Sequence, residues 1–132
     1  AITPVDVDNI HAVDCDIYAH CVLGAVISKK NISEIKASII AGSANNQLDK
    51  ASTGELLHQK EILYAPDYII NAGGLIYASS RYYQLNFEEI DHKIKHIYDT
   101  LLEIFDRSQQ ENLATNSIAD DIAVARIAAS QQ

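Results

Sequence analysis

The side chains able to do chemistry gather in three short runs, each behind an apolar, β-branched stretch. His20 and Cys21 follow Cys15-Asp-Ile-Tyr-Ala19, and small residues continue to Gly24. Gly42-Ser-Ala-Asn-Asn46 follows Ser38-Ile-Ile-Ala41, and Asn71-Ala-Gly-Gly74 follows the stretch from Tyr64 to Ile70. An asparagine amide both donates and accepts hydrogen bonds, and small residues allow close approach, so such runs suit a flat, polar ligand. In open parallel sheets, ligands collect at the carboxyl ends of the strands, where all three runs would emerge. At Tyr64–Gly74 the residues alone leave two readings open. Gly73 and Gly74 either serve the packing of a strand-to-helix turn or bring the backbone close to a ligand. Three successive strand ends of the same kind favour the ligand.

Other chemistry is weaker. His92 and His96 stand four apart on one helical pattern, a spacing that can hold a metal. They lie off the apolar stripe of Ile90, Ile94 and Ile97 and have no third ligand, so a solvated face is the simpler reading and no metal site is expected. Cys21 beside His20 does not make a thiolate pair, because adjacent strand-end residues point apart. The five glycines, Gly24, Gly42, Gly54, Gly73 and Gly74, cannot make the G-x-G-x-x-G that cradles a dinucleotide pyrophosphate. A P-loop, a G-x-S-x-G elbow and an H-E-x-x-H are also missing.

The whole-chain numbers narrow the classes further. A length of 132 residues with 48% hydrophobic content makes one domain with a real core. Net charge is -8 and the ten basic residues are scattered, which excludes a clustered nucleic-acid footprint and an anionic membrane surface. No apolar run approaches the ~20 residues of a membrane helix. The start, Ala1-Ile-Thr-Pro, lacks the basic and apolar regions of a signal peptide. Cys15 and Cys21 are too few for a disulfide scaffold, so free thiols in a reducing, cytoplasmic setting are expected. The chain contains no methionine and starts on alanine, as a piece excised from a longer protein would.

The elements that must position these runs are short strands alternating with short helices, an α/β pattern around a parallel sheet. Strands are expected at 15–19, at 38–41, and over 62–64 resuming at 68–70 beyond Pro66. Short helices are expected behind the capping-box pattern Asn31-Ile-Ser-Glu34 and behind a Thr53 cap. Val7, Ile10 and Val13 have helical spacing in the first stretch. After Gly74 the pattern is helical throughout, about 75–132. Leu75 to Leu85 is one segment. Asn86-Phe-Glu-Glu89 opens a long amphipathic helix with Phe87, Ile90, Ile94, Ile97, Leu101 and Ile104 on one face, closed by Asn112. Ser117 caps the last helix, in which Ile118, Ile122, Ala125 and Ala129 line up.

The three loop motifs carry a resemblance. Cys15-Asp-Ile-Tyr-Ala-His-Cys-Val-Leu-Gly24, Ala41-Gly-Ser-Ala-Asn-Asn-Gln-Leu48 and Tyr64-Ala-Pro-Asp-Tyr-Ile-Ile-Asn-Ala-Gly-Gly74 resemble the glutamate/leucine/phenylalanine/valine dehydrogenases, nearest the leucine branch. Ile97-Tyr-Asp-Thr100 fits too, and the resemblance covers essentially the whole chain. It implies the second half of a Rossmann-type NAD-binding domain followed by C-terminal helices, within residues 1–132. It also implies oxidative deamination of an L-amino acid to a 2-oxo acid, in a full-length homo-oligomer. The N-terminal substrate domain, the glycine fingerprint, the ribose-binding acid, and the catalytic lysine and aspartate would all lie upstream, so no catalytic residue is expected here and the piece alone would be inactive.

Position by position, the resemblance puts Asn46 at the substrate carboxylate and Asn71 at the nicotinamide carboxamide and ribose. The backbone at Ala19, His20 and Cys21 would line the nicotinamide side, and Gly42, Ser43 and Ala44 the neighbouring wall. Leu75 and Ala78 would meet the substrate side chain. Two positions depart from the family pattern: His20 stands where proline is usual, which leaves φ of that loop unfixed, and Ala78 where the leucine enzymes commonly have valine. Leucine is the first choice of substrate, with valine, isoleucine and phenylalanine open. The alternative is a naturally truncated, non-catalytic module for assembly or regulation.

Overall fold

The computed structural model describes residues 2–130. Three two-residue strands, β1 (Ile17–Tyr18), β2 (Ile39–Ile40) and β3 (Leu63–Tyr64), form a parallel sheet in the order β1-β2-β3. The register aligns Tyr18 with Ile40 and Ile40 with Tyr64. Side chains alternate across a strand, so these three share one face, and that face is buried. The other face, Ile17, Ile39 and Leu63, is exposed to half-buried. Ile27, Ile32, Ile35 and Leu57 complete the core over the buried face.

The expected helix behind Asn31 does not form; residues 29–34 are turns. Asn31 Oδ1 accepts from the Ser28 amide at 3.0 Å and its Nδ2 donates to Val26 O at 2.7 Å. The Glu34 carboxylate meets His11 at 2.8 Å instead of capping. With both side chains bound backward along the chain, no box is left to start a helix. His11 itself ends a 3-10 helix, Val7–Ala12, in the stretch whose spacing looked helical.

Helix α1 spans Ser52–Gln59. Thr53 is not its cap but lies inside the first turn, where its hydroxyl donates to Asp49 Oδ1 at 2.5 Å. Beyond β3 the expected return to strand at 68–70 is also overturned. Asp67–Ile70 is a single helical turn, α2, because the Pro66 carbonyl accepts from Ile69 and Ile70 at 3.0 and 3.1 Å. Proline has no N–H for a strand ladder and its φ of -54° already suits a helix start, which overrides the β preference of Tyr68, Ile69 and Ile70.

The helical part begins at α3 (Gly73–Tyr83), two residues before the expected start. α4 (Phe87–Glu111) carries the expected capping box, with Asn86 Oδ1 accepting from the Glu89 amide at 2.9 Å and Glu89 Oε2 from the Asn86 amide at 2.8 Å. Asn112 ends it in the left-handed region, φ 53°. α5 (Thr115–Ala129) starts two residues before Ser117, with Ala114 at its cap. Thr115 is used elsewhere: its hydroxyl donates to the Tyr64 carbonyl at 2.7 Å and fastens α5 to β3. Ile104, Ile118, Ala119 and Ile122 form a second buried cluster between α4 and α5, with Ile69 of α2 against it.

Candidate functional site at the strand ends

The loops after β1, β2 and β3 are joined by specific contacts. A Cβ added to Gly42 would overlap the backbone N and O of His20, so only glycine lets loop two lie against loop one. The Ala44 amide donates to His20 O at 3.0 Å, and the Ala25 amide to Asn46 O at 2.6 Å. Loop three joins loop two through Asn71, whose Nδ2 donates to Asn45 Oδ1 at 2.6 Å. Of the ten residues expected at the site, Ala19, His20, Cys21, Gly42, Ser43, Ala44, Asn46 and Asn71 therefore come together at one edge of the sheet. Leu75 and Ala78 follow on α3, both exposed.

Within this edge the side chains divide into inner and outer. His20 is buried and Cys21 exposed, so the two do point apart. Hydrogen bonding from the Ser43 side chain, and next from its backbone, holds the Cys21 thiol below its ordinary value. Cys15 and Cys21 are both free. Asn46 is exposed with φ 53°, a left-handed conformation that asparagine tolerates. Its side-chain amide makes no hydrogen bond among the described residues and is available to a ligand. Asn71 uses Nδ2 on Asn45, which leaves its Oδ1 to accept.

Two supports were not legible as site residues. Gln47 is fully buried, and its Nε2 donates to Gly42 O at 2.8 Å and to Ala44 O at 3.0 Å, bracing loop two from inside. Asp67 is buried beneath loop three, where it accepts from the Tyr64 hydroxyl at 3.1 Å. Burial first and this carboxylate second push the Tyr64 phenol well above its usual range. Tyr68 is pushed up likewise, by burial and then by its 2.7 Å hydrogen bond to Asp120. The only sequence signal for these roles is polar residues beside a loop of small ones, which does not distinguish a brace from a ligand contact.

A recess of about 290 Å³ lies behind Asn46, walled by Lys50, Asp67, Tyr68, Asn116 and Asp120. A larger groove of about 770 Å³, between α1, β3 and α4, contains none of the expected site residues. Gly73 and Gly74 add a further point. A Cβ at either would meet nothing within 4 Å, and no glycine among the described residues has positive φ. Neither packing among the described residues nor backbone conformation requires them to be glycine. His92 and His96 are both exposed, with His96 Nδ1 3.6 Å from Asp99 Oδ2.

Comparison with known proteins gives a consistent result. A family model described as glutamate/leucine/phenylalanine/valine dehydrogenase matches residues 1–132. The leucine dehydrogenase of Bacillus cereus is 44% identical over 124 residues, 94% of this chain and 34% of that protein. The phenylalanine dehydrogenase of Thermoactinomyces intermedius is 42% identical over 123 residues, 93% of this chain and 34% of that protein. The crystal structure of L-tryptophan dehydrogenase from Nostoc punctiforme superimposes with a TM-score of 0.89 at 41% identity, covering 96% of this chain and 38% of that one. A hetero-hexameric glutamate dehydrogenase from Thermus thermophilus, in its Leu bound form, shares the fold at TM-score 0.69 and 16% identity, over 88% of this chain and 29% of that one. The chain spans about a third of the length of the curated relatives it matches.

Proposed function

The chain belongs to the glutamate/leucine/phenylalanine/valine dehydrogenase family, and from that premise we propose that it is the cofactor-side part of an NAD-dependent L-amino-acid dehydrogenase of leucine type. The observation that carries this reading is the joining of the three strand-end loops: the motifs that mark the family are the ones that His20–Gly42, Ala25–Asn46 and Asn71–Asn45 hold together. NAD supplies the hydride acceptor. The residues present fit it. Asn71 offers a carbonyl oxygen to a carboxamide N–H, and the bare backbone at Gly73 and Gly74 leaves room for a flat ring beside it.

On this reading the backbone at Ala19, His20 and Cys21 borders the nicotinamide side, the His20 ring being turned away from it, and Gly42, Ser43 and Ala44 form the adjacent wall. The free Asn46 amide donates to the substrate carboxylate, and Leu75 and Ala78 present apolar surface to its side chain. These residues position; they do not move protons. Holding two flat partners in near-attack geometry is a large part of a hydride transfer. The proton-transfer groups, a lysine and an aspartate, belong with the substrate domain in the part of the relatives that this chain does not span. The exposed apolar side chains of α3, Leu75, Tyr77 and Tyr82 among them, suit a surface met by that domain. The whole enzyme is a cytoplasmic homo-oligomer that takes leucine first, with valine, isoleucine or phenylalanine as the near competitors, since one missing methyl pair at Ala78 shifts selectivity by only ~1–3 kcal/mol.

The test is NAD reduction by the full-length protein with L-amino acids, followed by Asn46→Ala. The substitution is expected to raise the amino-acid KM about tenfold or more while leaving that for NAD much less changed, because a charge-assisted hydrogen bond to the carboxylate is lost. An unchanged amino-acid KM would remove Asn46 from the site.

A further inference from the structure

His20 does something that its place in the loop does not announce. Its ring is only 5% exposed, while Val22 and Leu23 beside it are 75% and 77% exposed. Nε2 lies 2.5 Å from the Leu23 carbonyl. A carbonyl only accepts, so Nε2 carries the proton, and Nδ1 is left to accept from the Tyr18 hydroxyl at 3.3 Å. Tyr18 belongs to the buried face of the sheet, and its ring centroid stands 5.8 Å from that of the imidazole. The imidazole thus fastens the middle of loop one to β1.

The residues just past Leu23 are the ones that meet Asn46. Gly24 passes so close to loop two that a Cβ would stand 2.7 Å from Asn45 O and 2.9 Å from Asn46 O. The Ala25 amide donates to Asn46 O at 2.6 Å. Ala25 and Asn46 both adopt left-handed backbone, φ 58° and 53°. For alanine this is strained, and such strain persists only where the surroundings hold it.

We propose that His20 is a positioning residue: its Nε2–H bond to Leu23 O closes residues 20–23 into a clasp that holds the Gly24–Ala25 step against Asn46 and so fixes the left-handed Asn46 backbone from which its amide side chain projects. This rests on the reading that Asn46 holds the substrate carboxylate. The contacts of His20 with Gly42 and Ala44 are made by main-chain atoms that every residue has. Replacing the side chain therefore leaves the cofactor-side wall in place and loosens the substrate side.

The experiment uses the full-length protein. His20→Phe keeps a ring and removes both hydrogen bonds, whereas His20→Gln keeps an N–H donor. His20→Leu serves in place of the first should it fail to fold. In the phenylalanine variant, deuterium uptake by the peptide covering residues 21–27 is expected to quicken, and the amino-acid KM to rise about tenfold, the loss of one hydrogen bond. The KM for NAD should hardly move, and His20→Gln should restore both readouts. Unchanged uptake in the phenylalanine variant overturns the clasp, whatever the activity. Faster uptake with an unchanged amino-acid KM overturns the positioning role while leaving the dehydrogenase reading intact. A wild-type protein that reduces NAD with no L-amino acid fails the dehydrogenase reading instead, and the uptake measurement still decides the clasp.

Discussion

The sheet part and the helical part of this molecule are patterned equally clearly in sequence and packed very differently. Over the buried face of the sheet, the apolar side chains are enclosed: Ile27 is 1% exposed, and Ile40 and Leu57 are 0%. Along α4 the apolar stripe runs from open to closed, with Phe87 82%, Ile94 41% and Ile104 0% exposed. α3 leaves Leu75 74% and Tyr82 83% exposed, and the far end of α5 leaves Val124 66% exposed. Periodicity states which residues share a face; it does not state what covers that face. Where α4, α5 and α2 meet, at Ile104, Ile118 and Ile69, the helical part closes on itself.

That contrast can be broken most strongly by truncating one apolar residue where the helical part is closed and one where it is open. Ile118→Ala is expected to destabilise the chain by about 2–5 kcal/mol in denaturant unfolding, as for other buried large-to-small changes. Phe87→Ala, on the open end of the same helical part, should cost no more than about 0.5 kcal/mol. Equal losses would mean that α4 is covered along its whole length.

A second pair sharpens the comparison at glycines. Gly42→Ala forces a methyl into the His20 backbone and is expected to cost about 1–3 kcal/mol. Gly74→Ala meets open space at the start of a helix and should leave the melt unchanged or raise stability by up to about 1 kcal/mol, while raising the KM for NAD in the full-length protein. If Gly42→Ala melts like the wild type, the two loops are free to slide apart and the joined edge is not a site.

The smallest effect concerns the two cysteines. Cys21 is exposed and held below its ordinary pKa by Ser43, whereas Cys15 is half-buried. A lowered pKa means more thiolate at neutral pH, so iodoacetamide should modify Cys21 several-fold faster than Cys15, as read by mass spectrometry. Ser43→Ala should move the pH midpoint of Cys21 alkylation upward. Equal rates at the two thiols would contradict the Ser43 contact.

How much was legible follows from the reach of each signal. The strands at Ile17–Tyr18 and Ile39–Ile40, the box at Asn86–Glu89 and the stop at Asn112 rest on interactions within a few residues, and all are found. The failures share a cause. Asn31, Glu34 and Thr53 had the right side chains for caps, but Ser28, Val26, His11 and Asp49 took them first. Tyr68–Ile70 read as strand because β-branched residues prefer one, and Pro66 imposed a helical turn on them. Gln47 and Asp67, which brace the site from inside, gave no sign of it because their partners are decided by the fold.

By itself the sequence determined the alternation of short strands and helices, the family, and the order of three amide- and glycine-bearing loops along the chain. These depend on residue type and local spacing, which a linear chain carries in full. Only the tertiary structure decided that Asn71 would reach Asn45, that the imidazole of His20 would turn inward to Leu23, and that α3 would leave its apolar side chains open. Those outcomes depend on which surfaces meet across tens of residues. A single side chain with several possible partners takes whichever one the packing brings within hydrogen-bonding distance.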